Sequence, residues 1–453
     1  MDKTTRTLAE YVTRLSYDRL EPNTIREAKK RLIDSIGCAL GGFDSEPATI
    51  ARRLAAKSSG EPSARILGTG ASTSMEMAAF SNSIMVRYLD FNDTYVSVGS
   101  GHPSDMISAC LAVADALEAD GKQTLLAIIA AYEVYTGLAD QIALRGKGWD
   151  QGVFAVLGAA AGAGRLLGLS VDQMGDALAI AITSSVPTRQ TRSGELAMWK
   201  GCATAAAVRS GVFAALLAKE GITGPTAAFE GRHGVWDQVT GQFTLGALGG
   251  NGKPFGIERT NLKFFPSEYH SQAPTWMGLN LRKRVRIEDI AAINVQTYHI
   301  CYSEIGSEPE KWEPKTRETA DHSLPYLLSL ALMDGAIRTD SFGVARMRDP
   351  ATLALMQKIK IAESAEFERQ FPNALMTEIE VLTRSGERVV ERASYPRGHA
   401  KNPMSEDDIV NKFRTLAENI MKPAQRDALL KALWEVERAP QIGEVLKLIQ
   451  VER

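Results

Sequence analysis

The sequence predicts a mainly α-helical protein, a large all-α domain joined to a smaller α+β domain, and three observations carry that expectation. Apolar residues recur at helical spacing in run after run as far as Gly256. Period-two alternation begins only after Pro266. Beyond Pro403 the pattern returns to helix. At roughly 150 residues per domain, 453 residues call for two or three domains. The expected division is an all-helical domain over 1–260, completed by C-terminal helices within 398–453, and an α+β domain over 261–397.

Asn23 is placed to cap a helix over 24–40, where Ile25, Ala28, Leu32, Ile33 and Ile36 share a face before Gly41 and Gly42 stop the run. Ser104 is placed to cap a second helix over 105–118, with Ile107, Cys110, Leu111 and Ala114 on one side. Further helical runs cover 123–138, 152–167, 171–182 and 203–219, and their many Ala and Gly positions allow helices to approach closely. In the second domain Ile293, Val295, Thr297 and His299 alternate with polar neighbours as a strand does. The segments 377–383 and 387–393 alternate likewise around a Ser385-Gly386 hairpin turn. Helices are expected near 267–282 and 318–334. After Pro403, Ser405 is a cap, followed by Glu406, Asp407 and Asp408 in a first turn whose dipole suits them.

Composition narrows the function. Hydrophobic residues make up 44% and charged residues 23%, the balance of a globular chain. Lys plus Arg (52) nearly cancels Asp plus Glu (54), so no global field recruits nucleic acid or an anionic membrane. The N-terminal segment has no apolar core of the secretory kind, and a cytoplasmic location is expected. The apolar stretches 125–135 and 154–169 are broken by Glu133 and Arg165 and read as buried helices, not membrane spans. Cys38, Cys110, Cys202 and Cys301 are widely scattered, which speaks against an iron–sulfur or zinc site and for reduced thiols. No metal and no cofactor is expected.

The densest polar cluster runs from Arg87 through Tyr88-Leu89-Asp90-Phe91-Asn92-Asp93-Thr94-Tyr95 to Gly101-His102-Pro103-Ser104-Asp105. It reads as a helix end, a Gly/Ser-rich loop and a new helix whose free N–H groups can receive an anion, with His102 two residues before the cap. The plainer alternative is a capped turn with a surface His and Asp93 paired to Arg87.

Leu-Asp-Phe-Asn-Asp-Thr followed by His-Pro-Ser resembles the signature of the MmgE/PrpD family, whose members include 2-methylcitrate dehydratase, cis-aconitate decarboxylase and iminodisuccinate epimerase. Gly148-Trp149-Asp150-Gln151, Met198-Trp199-Lys200-Gly201, Phe229-Glu230-Gly231, Leu262-Lys263-Phe264-Phe265-Pro266-Ser267-Glu268-Tyr269-His270, Thr319-Ala320-Asp321-His322-Ser323-Leu324-Pro325-Tyr326 and Tyr395-Pro396-Arg397-Gly398-His399 match in order, so the resemblance covers nearly the whole chain.

The resemblance implies a metal-independent, cofactor-free hydro-lyase acting on a small polycarboxylate. Its foremost form is a 2-methylcitrate dehydratase-like enzyme of propionate metabolism, converting 2-methylcitrate to 2-methylaconitate. An isomerase or epimerase of a dicarboxylate such as iminodisuccinate, or a cis-aconitate decarboxylase-like lyase, is the alternative. Decarboxylase members carry His where this chain has Asp150, which favours the dehydratase form. By family position Asp90, His102, Tyr326 and His322 are the catalytic candidates. Thr94, Asp150, Lys200, Lys263 and His270 are the substrate-binding ones. Two ammonium groups suit two carboxylates. His322 and Tyr326, four residues apart, are expected to share a helix face. Tyr326 is the candidate acid to a leaving hydroxyl, and His102 with Asp90 the proton-transfer centre. Of the remaining histidines, His299 reads as structural, whereas His399 is the stronger of the two loop residues His233 and His399. A homodimer through the helical domain is implied as well.

Overall fold

A computed structural model describes residues 1–451. The chain divides into two compact units: one holds Met1–Thr191, Gly201–Leu262 and the residues from Ser405 onward; the other holds Arg192–Lys200 and Lys263–Met404. The fold is mainly α. The short segment Arg192–Lys200 thus lies inside the helical stretch of the sequence yet packs in the second unit.

The first unit is a helical assembly whose longest members are Pro22–Gly41, Met75–Arg87, Gly121–Ala139, Gly152–Leu166, Val171–Ser184 and Ala203–Lys219. Gly121–Ala139 starts at a capping box, Asp120 accepting from the Gln123 N–H while the Gln123 side chain answers. It is buried along almost its whole length. Gly152–Leu166 packs against it at close range: a Cβ on Gly158 would fall 2.7 Å from the Ala131 carbonyl oxygen, so only glycine lets the backbones approach this far. Glu133, which breaks the apolar run in the sequence, is buried there, and its two oxygens accept the N–H groups of Gly249 and Gly256 at 2.5 and 2.7 Å. Burial pushes this carboxyl up, and the two N–H bonds oppose the shift. Among the described residues no helix is long and apolar enough to cross a membrane.

Two helix starts differ from expectation. Pro22 occupies the first turn of its helix, where its missing N–H costs nothing, and Asn23 instead donates to Glu258 at 2.7 Å. Ser104 is no cap: a 3-10 turn, Pro103–Met106, precedes the α-helix Ile107–Ala116. Farther on, Ser405 does cap Glu406–Ala417, accepting from Asp408 N–H at 3.1 Å. That helix returns Lys412 to Asp34, 2.6 Å away, and to the Phe91 carbonyl at 2.6 Å. Leu89 and Phe91 pack with Cys38 and Leu416, so the loop after Arg87 is held from both sides.

The second unit is built on a four-stranded sheet in the order Ile359–Glu363, Ile290–Thr297, Thr377–Thr383, Arg388–Ala393. Ile290–Thr297 pairs parallel with the first and antiparallel with the third. The predicted hairpin turns at Gly386, whose φ of 88° suits glycine. Helices Gln272–Leu281 and Leu324–Asp334 accompany the sheet, and an apolar cluster gathers Phe265, Tyr326, Leu330, Phe342 and Met356. The expected strand stops short of His299. Its N–H is given to Glu368 at 2.7 Å instead of to a ladder, and a short helix, His299–Ile305, begins.

Candidate active site

In the first unit the helix Met75–Arg87 ends at an arginine whose guanidinium pairs with Asp90, both side chains being 1% exposed. Asp90 has a φ of 50°, a left-handed conformation that Asp tolerates better than most residues because its short side chain can bond locally. Asp105 lies 3.8 Å from the same guanidinium. The chain then makes a small ribbon, Tyr95–Val96 against Ser100–Gly101, which brings His102 back beside Asp93 and Thr94.

His102 is held at three points. Its main-chain N–H donates to Gln151 Oε1. Its Nδ1 is 2.6 Å from the Asp93 carbonyl oxygen and 3.0 Å from Thr94 Oγ1. A carbonyl can only accept, so Nδ1 carries the proton and, in the neutral ring, Nε2 carries the lone pair. Nε2 lies 3.9 Å from Asp90 Oδ1. In that form Nε2 can accept a proton, and the Asp93 carbonyl sets the tautomer.

The helix start after His102 is not open to a foreign anion. Asp93 Oδ1 accepts the Ser104 N–H at 3.0 Å, and Oδ2 accepts the Tyr132 hydroxyl at 2.7 Å. Burial raises the Asp93 carboxyl, and the bonds from Ser104 and Tyr132 lower it again. The chain therefore fills this slot itself, and Asp93 is neither on the surface nor paired with Arg87. Asn92 supports the same turn, donating to Ser104 Oγ and Asp105 Oδ1, each at 2.8 Å.

Asp150 is 1% exposed. It donates its N–H to the Pro187 carbonyl and accepts the Gly152 N–H at 3.1 Å, at the mouth of the helix Gly152–Leu166. Its neighbour Gln151 also receives the Tyr135 hydroxyl at 2.7 Å. Gln151, next to Asp150, is bonded to the His102 main-chain N–H.

The second unit gathers the remaining candidates. Leu196 is tied to Thr316 and Thr319 through both its backbone groups. That places Lys200 beside Asp321, its Nζ 3.2 and 3.5 Å from the two carboxylate oxygens. His322 Nδ1 is 2.6 Å from Asp321 Oδ1. Lys200 is 1% and Asp321 0% exposed, so both charges are buried. Lys263 is buried too, at the start of a loop that the Gln272 side chain laces together through the N–H groups of Phe264 and Phe265. His270 Nδ1 meets the Tyr298 hydroxyl at 2.6 Å, while Glu268 accepts the His270 N–H.

His322 and Tyr326 do not share a helix face. Ser323 caps the helix, accepting the Tyr326 N–H at 3.1 Å, so His322 lies before its first turn. The Tyr326 hydroxyl donates to the Ser341 carbonyl at 2.7 Å, its ring sits in the apolar cluster, and burial pushes the phenol up. His399 accepts the Lys401 N–H through Nδ1 at 3.0 Å, and burial, with the Lys401 charge second, pushes it down to about 4.

Residues 6–247 match the MmgE/PrpD N-terminal domain and residues 265–436 the MmgE/PrpD C-terminal domain. The chain belongs to the MmgE/PrpD family. Among similar proteins are the 2-methylcitrate dehydratase of Cupriavidus necator, 27% identical over 98% of this chain and 96% of that protein, and the 2-methylcitrate dehydratase of Escherichia coli strain K12, 27% identical over 92% and 91%. The cis-aconitate decarboxylase of Aspergillus terreus is 25% identical over 98% and 95%.

Within this MmgE/PrpD chain, sequence reasoning gave Gln151 and Asp321 no role and offered Asp93 only as a partner of Arg87. All three stand inside the motifs that carry the resemblance. Nothing in a linear motif tells which of two adjacent polar residues turns toward the histidine.

Proposed function

We propose that this MmgE/PrpD enzyme is a metal-independent hydro-lyase of a small polycarboxylate, with 2-methylcitrate, dehydrated to 2-methylaconitate, as its foremost substrate. The observation that carries this reading is the anchoring of His102 Nδ1 on the Asp93 carbonyl, which leaves Nε2 as the base for a C–H beside a carboxylate. Dehydration moves that proton to the base, forms the C=C bond from the C–H electron pair, and expels hydroxide that an acid protonates to water. Asp90, paired with Arg87, lies 3.9 Å from Nε2, where its carboxylate stabilises the imidazolium that forms. His322 suits the acid role better than Tyr326, whose hydroxyl is already donated to Ser341. Lys200 and Lys263 supply positive charge for substrate carboxylates, and Thr94, Asp150 and His270 remain substrate-binding candidates by family position. A cytoplasmic homodimer completes the proposal.

The relatives named as dehydratases and as a decarboxylase support lyase chemistry at the level of the family. Turnover of 2-methylcitrate, citrate, cis-aconitate and iminodisuccinate, followed by absorbance and NMR after exhaustive chelation, tests the reading. Water loss from 2-methylcitrate is the expected result. Release of carbon dioxide from cis-aconitate, or epimerisation of iminodisuccinate without water loss, would replace it. Loss of activity that an added divalent ion restores would overturn metal independence.

A further inference from the structure

Two candidate groups in the second unit converge on one carboxylate. Asp321 accepts from Lys200 Nζ and lies 2.6 Å from His322 Nδ1 through the same oxygen, Oδ1. Its main-chain carbonyl accepts the Glu268 N–H at 2.9 Å, and the residue is fully buried. The aspartate is therefore fixed in place and touches a cation on one side and an imidazole on the other.

We propose that Asp321 is a positioning residue that sets the tautomer of His322 and moderates the charge of Lys200, coupling proton transfer to carboxylate binding. An ionised carboxylate only accepts, so His322 Nδ1 must carry a proton, and Nε2 becomes the atom that exchanges a proton with substrate. Lys200 stands 3.2 Å from the carboxylate as its counter-ion, and part of the Lys200 charge is spent internally. A substrate carboxylate arriving at Lys200 releases that share of the charge. Asp321 then interacts more strongly with His322, at the moment when His322 is to act. This inference rests on the assignment of His322 to proton transfer.

The test is Asp321→Leu, which keeps most of the side-chain bulk and takes away the oxygen that both Lys200 Nζ and His322 Nδ1 approach. Without that acceptor the imidazole is no longer held in the Nδ1–H form. In 15N-histidine-labelled protein, with the His322 signal identified by its loss in His322→Gln, the wild type is expected to show a proton on Nδ1, and Asp321→Leu neutral imidazole with Nε2–H. In turnover, kcat is expected to fall at least about tenfold, as wrong-tautomer variants of such pairs do, and Asp321→Asn, whose carboxamide oxygen still accepts from both groups, is expected to restore Nδ1–H and part of the lost kcat. A residue that merely holds the fold together would instead lower kcat and Tm together and leave the tautomer unchanged.

A wild-type His322 with Nε2–H and bare Nδ1 overturns the proposal without need of any variant. An unchanged tautomer in a folded Asp321→Leu protein overturns it as well. A changed tautomer with undiminished kcat supports the positioning by Asp321 and overturns the proton-transfer role of His322, which separates the two ideas.

Discussion

The Nδ1 atom of His102 lies 2.6 Å from the main-chain carbonyl oxygen of Asp93, so that side of the ring is oriented by the backbone. A backbone partner neither titrates nor swings away. His102→Asn retains a donor near the Nδ1 position and removes the base. The expected outcome is a folded protein that still binds substrate, with a chemical rate lower by roughly two to four orders of magnitude and no exchange of the substrate α-proton with deuterated solvent. Undiminished exchange in the folded variant would move the base elsewhere.

Lys200 and Lys263 are expected to behave differently. Lys263→Ala removes one charge-assisted contact and should weaken binding of an unreactive tricarboxylate by about 1.5–3 kcal/mol. Lys200→Ala should show a comparable loss of affinity and also destabilise the fold by about 3–5 kcal/mol, because Asp321 stays buried after its cation has gone. Calorimetric titration and denaturant unfolding check both. Wild-type affinity in either variant would take that lysine out of the clamp.

Tyr326→Phe separates a structural phenol from a catalytic one. Loss of the bond to the Ser341 carbonyl should cost about 1 kcal/mol of stability and leave kcat within a factor of a few. A fall in kcat of a hundredfold at unchanged Tm would restore Tyr326 as the acid.

His399 makes the fold acid-sensitive in a defined window. Its folded pKa is pushed down to about 4 from 6.5, chiefly by burial. Between these values the unfolded chain binds the proton and the native state does not, so stability is full above pH 6.5 and is lost as pH falls toward 4. The size of the effect is on the order of 3 kcal/mol. His399→Gln is expected to flatten the decline of Tm over that window relative to the wild type. Parallel declines would show that other groups govern it.

The homodimer is checked by light scattering at micromolar concentration, where a mass of twice 49.2 kDa is expected. A monomer would count against it.

Much of the fold was legible in the sequence, and the reasons are local. Alternation over Thr377–Thr383 and the Ser385-Gly386 turn specify a hairpin without help from the rest of the chain. Helices such as Ala203–Lys219 announce themselves through a sustained apolar face. What was hidden is tertiary. No periodicity shows that Arg192–Lys200 leaves the helical unit, and the cap at Ser104 was misplaced because the oxygen that satisfies that turn comes from Asp93, eleven residues earlier. The strand was carried to His299 because alternation continues there, although the Glu368 side chain takes the N–H. Of the candidate site, residue types were readable and partners were not. Asp321 looks like any polar residue before a helix until Lys200 is seen beside it.

The left-handed backbone at Asp90 bears on how this chain can change over time. Few side chains accept a φ of 50°, and among those that do, Asn and Gly are each one nucleotide from Asp. Both would preserve the turn, and Asn would still offer Arg87 an oxygen, yet neither brings the charge. Under the role proposed for Asp90, the shortest mutational routes away from it therefore lead to chains that keep their shape and lose their chemistry. A lineage relieved of selection for turnover would be expected to leave folded, silent descendants marked by Asn or Gly at this position.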